Sequence, residues 1–161
     1  TLARQATSTA RAEAANATAT AKQVAYESYK KTPPQHDFFG SGVKSGVGLG
    51  CRVTDYTDTI GSWTAGKGSK WIIIGCRVEN RGSGSLSVNP FYFTLVSTDG
   101  YAYNVDSHTY LLNNSMKSID VPTGSFVQGF MAFYTSDDTV PGRLVWDNFR
   151  DTINMTIVEA P

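Results

Sequence analysis

Two histidines, two cysteines and a scatter of carboxylates and tyrosines hold nearly all the chemistry available to this 161-residue chain. A Ser-His-Asp or Cys-His arrangement would have to recruit His36 or His108, because a hydroxyl or thiol nucleophile needs a base beside it. His36 follows Pro-Pro-Gln and His108 lies between Asp106 and Tyr110, so both read as ordinary surface histidines and no catalytic residue is assigned. Gly61 to Gly68 (GSWTAGKG) approaches a phosphate-binding loop, yet ends in Gly where a hydroxyl must reach magnesium, and joins strand to strand. Asp55 with Asp58, and Asp137 with Asp138, are carboxylate pairs without the ligand series of a calcium loop, and turn capping accounts for them. No cofactor and no metal is therefore expected.

Tyr92, Tyr101, Tyr103 and Tyr110 would make a stacking face for sugar rings if they lay outward together, and Tyr101 with Tyr103 is the candidate ligand face. Their alternative role is that of amphipathic strand residues with half-buried rings. Asn16-Ala-Thr18, Asn113-Asn114-Ser115 and Asn154-Met-Thr156 match the N-glycosylation acceptor pattern. Asn154 alternates away from Ile153 and Met155, so it should face solvent.

The elements that must position these groups are read from hydrophobic period. Ile72, Ile74, Cys76 and Val78 alternate with Trp71, Ile73, Gly75 and Arg77; Asn80 to Gly84 breaks the run; Phe91, Phe93 and Leu95 resume it before Asp99-Gly100. Strands are expected near 49–57, 70–80, 85–96, 100–104, 125–135, 142–147 and 152–158, with turn signals at Pro122 to Gly124 and Pro141-Gly142. Inward positions include Leu49, Cys51, Val53, the four residues of the second strand, Phe91, Phe93, Leu95, Leu144, Trp146, Ile153, Met155 and Ile157. Short strands punctuated in this way form an antiparallel sandwich. Cys51 and Cys76 fall on the inner face of neighbouring strands, where a disulfide is geometrically feasible and would imply an oxidising compartment; the alternative is two buried thiols.

The first 31 residues differ in kind, being rich in Ala and nearly free of large aliphatics, Gly and Pro, which favours helix until Thr32-Pro33-Pro34 stops it. Fully helical, this segment would extend about 45 Å at 1.5 Å per residue. Ala3, Ala6, Ala10, Ala14, Ala17, Ala21 and Val24 recur at steps of three or four and would form a seam for packing against another helix. Its five basic residues against two acidic ones read as a solvated face. The division expected is a helical stalk over 1–32, a Pro- and Gly-rich linker over 33–48, and a sandwich over 49–161.

Three segments, GKGSKWIIIGCRVEN (66–80), SVNPFYFTLVSTDGYAY (87–103) and VPTGSFVQGFMAF (121–133), resemble the telokin-like, immunoglobulin-like extracellular domains of bacterial and archaeal surface proteins. The resemblance implies an immunoglobulin-like β-sandwich displayed outside the cell, often behind a lipoprotein signal or membrane anchor. The order of parts, helix then β-rich head, is also similar to type IV pilin-like proteins. Fourteen basic residues balance fourteen acidic ones, which leaves no global field toward nucleic acid or acidic lipid. No apolar run reaches the roughly 18 to 20 residues of a membrane helix, so membrane association is expected only through an N-terminal anchor preceding Thr1. The function expected is a non-enzymatic extracellular structural or interaction module, a head on a stalk that self-associates or meets other surface proteins. The competing expectation is a carbohydrate- or cell-wall-binding domain.

Overall fold

β-branched and aromatic residues in period-two order make strands, and in the computed structural model, which describes residues 42–44 and 46–157, they pair into two four-stranded sheets. The strands are β1 (Gly42–Lys44), β2 (Val47–Thr57), β3 (Thr59–Ile60), β4 (Trp63–Thr64), β5 (Ser69–Asn80), β6 (Leu86–Val88), β7 (Phe93–Ser97), β8 (Ala102–Asn104), β9 (Ile119–Val121), β10 (Phe126–Ser136), β11 (Pro141–Asp147) and β12 (Thr152–Thr156). One sheet has the order β1-β2-β5-β10 and the other β12-β11-β7-β8, while β3-β4 and β6-β9 are two-stranded ribbons. All the strand pairings are antiparallel.

The core lies between the sheets. Leu49, Cys51 and Val53 of β2 face Val78, Cys76 and Ile74 of β5, and Met131 and Phe133 of β10 extend the layer. Phe93, Leu95, Leu144, Trp146, Ile153 and Met155 supply the opposite face. Each large buried aliphatic or aromatic side chain contributes about 1.5–3 kcal/mol through removal of apolar surface from water. Cys51 and Cys76 are exact partners in the register and are joined by a disulfide.

β5 is buried on its outer side too. Trp71, Ile73, Ala132 and Ile60 form a second, smaller core beneath the β3–β4 hairpin and the 3-10 turn Ser107–Leu111, with Phe130 and Leu112 packed at its border. The covering chain also shields the exposed edge of β10. Asp106 N donates to Ala132 O, Thr109 Oγ1 accepts from Ala132 N, Phe130 N donates to Asn114 O, and Met116 N donates to Phe130 O. These bonds engage the middle of the edge, at Phe130 and Ala132, where another chain would otherwise pair. The close approach requires Gly129, since a Cβ there would stand 2.5 Å from Met116 N.

Two expectations are corrected. The described residues form a β-sandwich and contain no α-helix, only the 3-10 turns Pro90–Tyr92 and Ser107–Leu111, so the long helix expected ahead of the sandwich is not part of the described fold. The segment 1–32, with the packing positions Ala3, Ala6, Ala10, Ala14, Ala17, Ala21 and Val24, lies outside the described residues. Phe91 is the second, being 51% exposed rather than inward. Pro90 cannot donate to a ladder, and Asn89 accepts from Phe91 N to open the 3-10 turn, so the strand expected over 85–96 divides and its period restarts at Phe93. β1 and the first residues of β2 occupy the end of the stretch read as linker.

Candidate functional site

The end of the sandwich where β5 leaves the sheet carries an open groove of about 530 Å³. Its geometry starts from Asn80, which is 3% exposed and ends β5. Asn80 Nδ2 donates to Gly84 O at 2.5 Å and to Val121 O at 2.8 Å, and Asn80 Oδ1 accepts from Gly82 N at 3.0 Å. One buried amide thus ties the loop 81–85 to β9, satisfying its own polar atoms in the process. Gly46, at φ +80°, lets the backbone pass against Gly82, where a Cβ would stand 2.7 Å from the Gly82 Cα. Beside this loop Glu79 bridges Arg77 and Arg81 at 2.9 and 2.8 Å, and Arg81 first, then Arg77, holds its carboxyl below the usual range.

The groove itself is polar. Ser83 and Ser87 come from the loop and from β6, and Asp120 from β9, directly opposite Ser87 in the register. Asn148 and Arg150 come from the β11–β12 turn, and Tyr92 from the 3-10 turn. Asn148 Oδ1 accepts from the backbone N–H groups of Arg150 and Asp151. Phe149, between them, is 89% exposed at φ +70° and stands edge-on to Tyr92, ring centroids 5.7 Å apart. A bulky residue in the left-handed region is a strained conformation, here held by the Asp147 and Asn148 side-chain acceptors of the turn. The lining contains no His and no Cys. What it offers is a mixed set of donors and acceptors beside an aromatic ring, suited to binding a hydroxylated molecule.

The residues selected from sequence are dispersed. His108 pairs with Asp106 Oδ1 through Nδ1 at 2.5 Å, and its ring meets Trp63 and Trp71 at 5.0 and 5.3 Å, on the outer side of the first sheet. There it anchors the 3-10 turn over the second core. Gly61 to Gly68 holds β4 and runs directly into β5, with no helix to receive a phosphate. Asp55 is half-buried on β2, and burial raises its carboxyl to about 6 against an opposing hydrogen bond from Tyr56. Among the described residues no three His, Cys, Asp or Glu side chains converge as a metal-ligand set. Tyr101 is 68% exposed in the turn just before β8, whereas Tyr103 lies opposite Leu95, packs partly on the core and meets Thr139 Oγ1 at 3.1 Å, so one of these rings faces solvent and the other faces inward. Asn113 and Asn154 are exposed, Asn154 between buried Ile153 and Met155, while Asn16 and His36 fall outside the described residues. The groove escaped sequence reading because its residues come from five separate segments. The signal within reach was Asn80 itself, a polar residue ending an apolar strand before a Gly-Ser run.

Comparison with known proteins follows the fold. Residues 16–152 match the family described as a domain of unknown function, DUF4352. No curated protein matches the sequence. The structure is similar to that of MPT63, a secreted protein from Mycobacterium tuberculosis, at 17% identity and TM-score 0.51, over 76% of this chain and 94% of that one. It is also similar to ycdA of Bacillus subtilis, assigned as a lipoprotein, at 16% identity and TM-score 0.55, over 73% of this chain and 38% of that longer one. Identities this low establish a shared β-sandwich.

Proposed function

The chain belongs to the DUF4352 family, and from its core disulfide we propose that it is a non-enzymatic extracellular interaction module. The observation that carries the reading is the bond between Cys51 and Cys76 inside the sandwich, because structural disulfides form and persist in oxidising compartments. The secreted and lipoprotein descriptions of MPT63 and ycdA support the same location. Its partner is a component of the cell exterior, received at the groove end of the sandwich.

Two measurements on intact cells of the source organism test this. Added protease should digest the chain without lysis, and alkylation without reductant should label neither cysteine. Digestion only after lysis, with both thiols labelled, would remove the extracellular reading.

A further inference from the structure

We propose that the groove bounded by Tyr92, Asp120, Asn148 and Arg150 is a binding site for a neutral glycan. This assignment rests on the reading of the protein as an extracellular interaction module, and it names the ligand class of that module's groove. A volume of about 530 Å³ falls within the range of pockets that enclose small ligands, rather than the flat patches of protein interfaces.

The lining determines the chemistry. A sugar hydroxyl both donates and accepts, so its receptor needs both kinds of group within one ring's width. Asp120 supplies an acceptor with two oxygens, which can take a pair of vicinal hydroxyls, and Arg150 supplies donors in a fixed fork. Asn148, whose Oδ1 is engaged by the turn, lines the groove with an amide that can donate. Ser83 and Ser87 add hydroxyls that adapt to either role. Tyr92, half-buried against the core, brings the one aromatic ring of the lining, whose exposed part can contact the C–H face of a sugar. A phosphate ligand would require a surplus of cations, whereas Arg150 is accompanied by Asp120 and Asp151. A lipid or other apolar ligand would require a mainly apolar lining, whereas here Val47, Leu86 and the Tyr92 ring are outnumbered by polar residues.

The test is titration of the full chain with chitotetraose, cellotetraose and maltotetraose, followed through backbone amide NMR shifts. At least one sugar should give saturable shifts at Ser83, Gly84, Ser87, Asn148 and Arg150. Tyr92→Ala should weaken that binding by about tenfold or more, and Tyr92→Phe, which keeps the ring, by no more than about twofold. Asp120→Asn and Arg150→Gln, exposed changes that leave the core intact, should each weaken it about fivefold, which keeps the test decisive if Tyr92→Ala fails to fold. Tyr101→Ala should change nothing. Absence of shifts with all three sugars at about 10 mM, or shifts unaffected by the groove variants, would overturn the glycan assignment while the protease and alkylation results stand independently. Recovery of a cleaved oligosaccharide would support the site and overturn the non-enzymatic reading.

Discussion

Cys51 and Cys76 stand directly opposite each other in the β2–β5 register, with Cα atoms 4.2 Å apart and their sulfurs bonded on the face that carries the core. The bond closes a loop of 25 residues that includes the β3–β4 hairpin. By chain entropy, such a closure contributes about 3 kcal/mol. Replacing both cysteines by Ala is expected to lower the unfolding free energy by about that amount, as measured by urea denaturation; an unchanged midpoint would contradict it.

Asn80 is the hinge of polar satisfaction at the groove. Asn80→Ala leaves the carbonyls of Gly84 and Val121 without this donor, an expected cost of about 2 kcal/mol. Amide exchange should accelerate at Gly82 and Gly84 well before the rest of the sandwich opens.

Gly129 has no room for a methyl group, because Met116 backbone lies within 2.5 Å of where it would sit. Gly129→Ala should therefore push the 114–116 segment off the edge of β10. The expected loss is about 3 kcal/mol or more, and the variant should populate oligomers through the uncovered edge, visible by light scattering.

Asp55 gives the stability a recognisable pH slope. Its carboxyl titrates near 6 when folded instead of 3.8, so between those values the folded chain holds a proton that the unfolded chain has lost. Its contribution therefore favours folding at low pH and diminishes as pH rises through about 6. The stability of the parent relative to Asp55→Asn, read from urea midpoints, should fall between pH 5 and pH 7, and an unchanged difference would contradict it.

Phe149 is held at φ +70° with its ring almost fully in water. Comparison of Phe149→Gly with Phe149→Ala removes the ring in both cases and leaves only the backbone difference. The Gly variant should be the more stable by about 1 kcal/mol in thermal or urea unfolding, because an L-residue is penalised in the left-handed region.

The strands were legible where neighbours along the chain decide the matter. Alternation through Ile72 to Val78, Leu144 to Trp146 and Ile153 to Ile157 marks one buried face, and those residues are buried in the core. The alternation fails at Phe91, where Pro90 interrupts the ladder, although the sequence printed that Pro in plain view. Trp71 and Ile73 were harder, because a strand buried on both faces looks the same as one with apolar residues turned outward until the covering loop is placed.

By itself the sequence determined an antiparallel β-sandwich, its longer strands, most of its core and the placing of two cysteines on facing inner positions, because these follow from period-two patterning and local turn chemistry; the short strands β1, β3, β4 and β9 and the bond between the cysteines came with the structure. Only the tertiary structure decided that the 106–116 segment closes the β10 edge, that Asn80 clamps a loop to β9, and that Tyr92, Asp120, Asn148 and Arg150 share one groove. Those relations join residues separated by tens of positions. Nothing in the local pattern encodes such a distance, whereas packing two sheets face to face sets all of them at once.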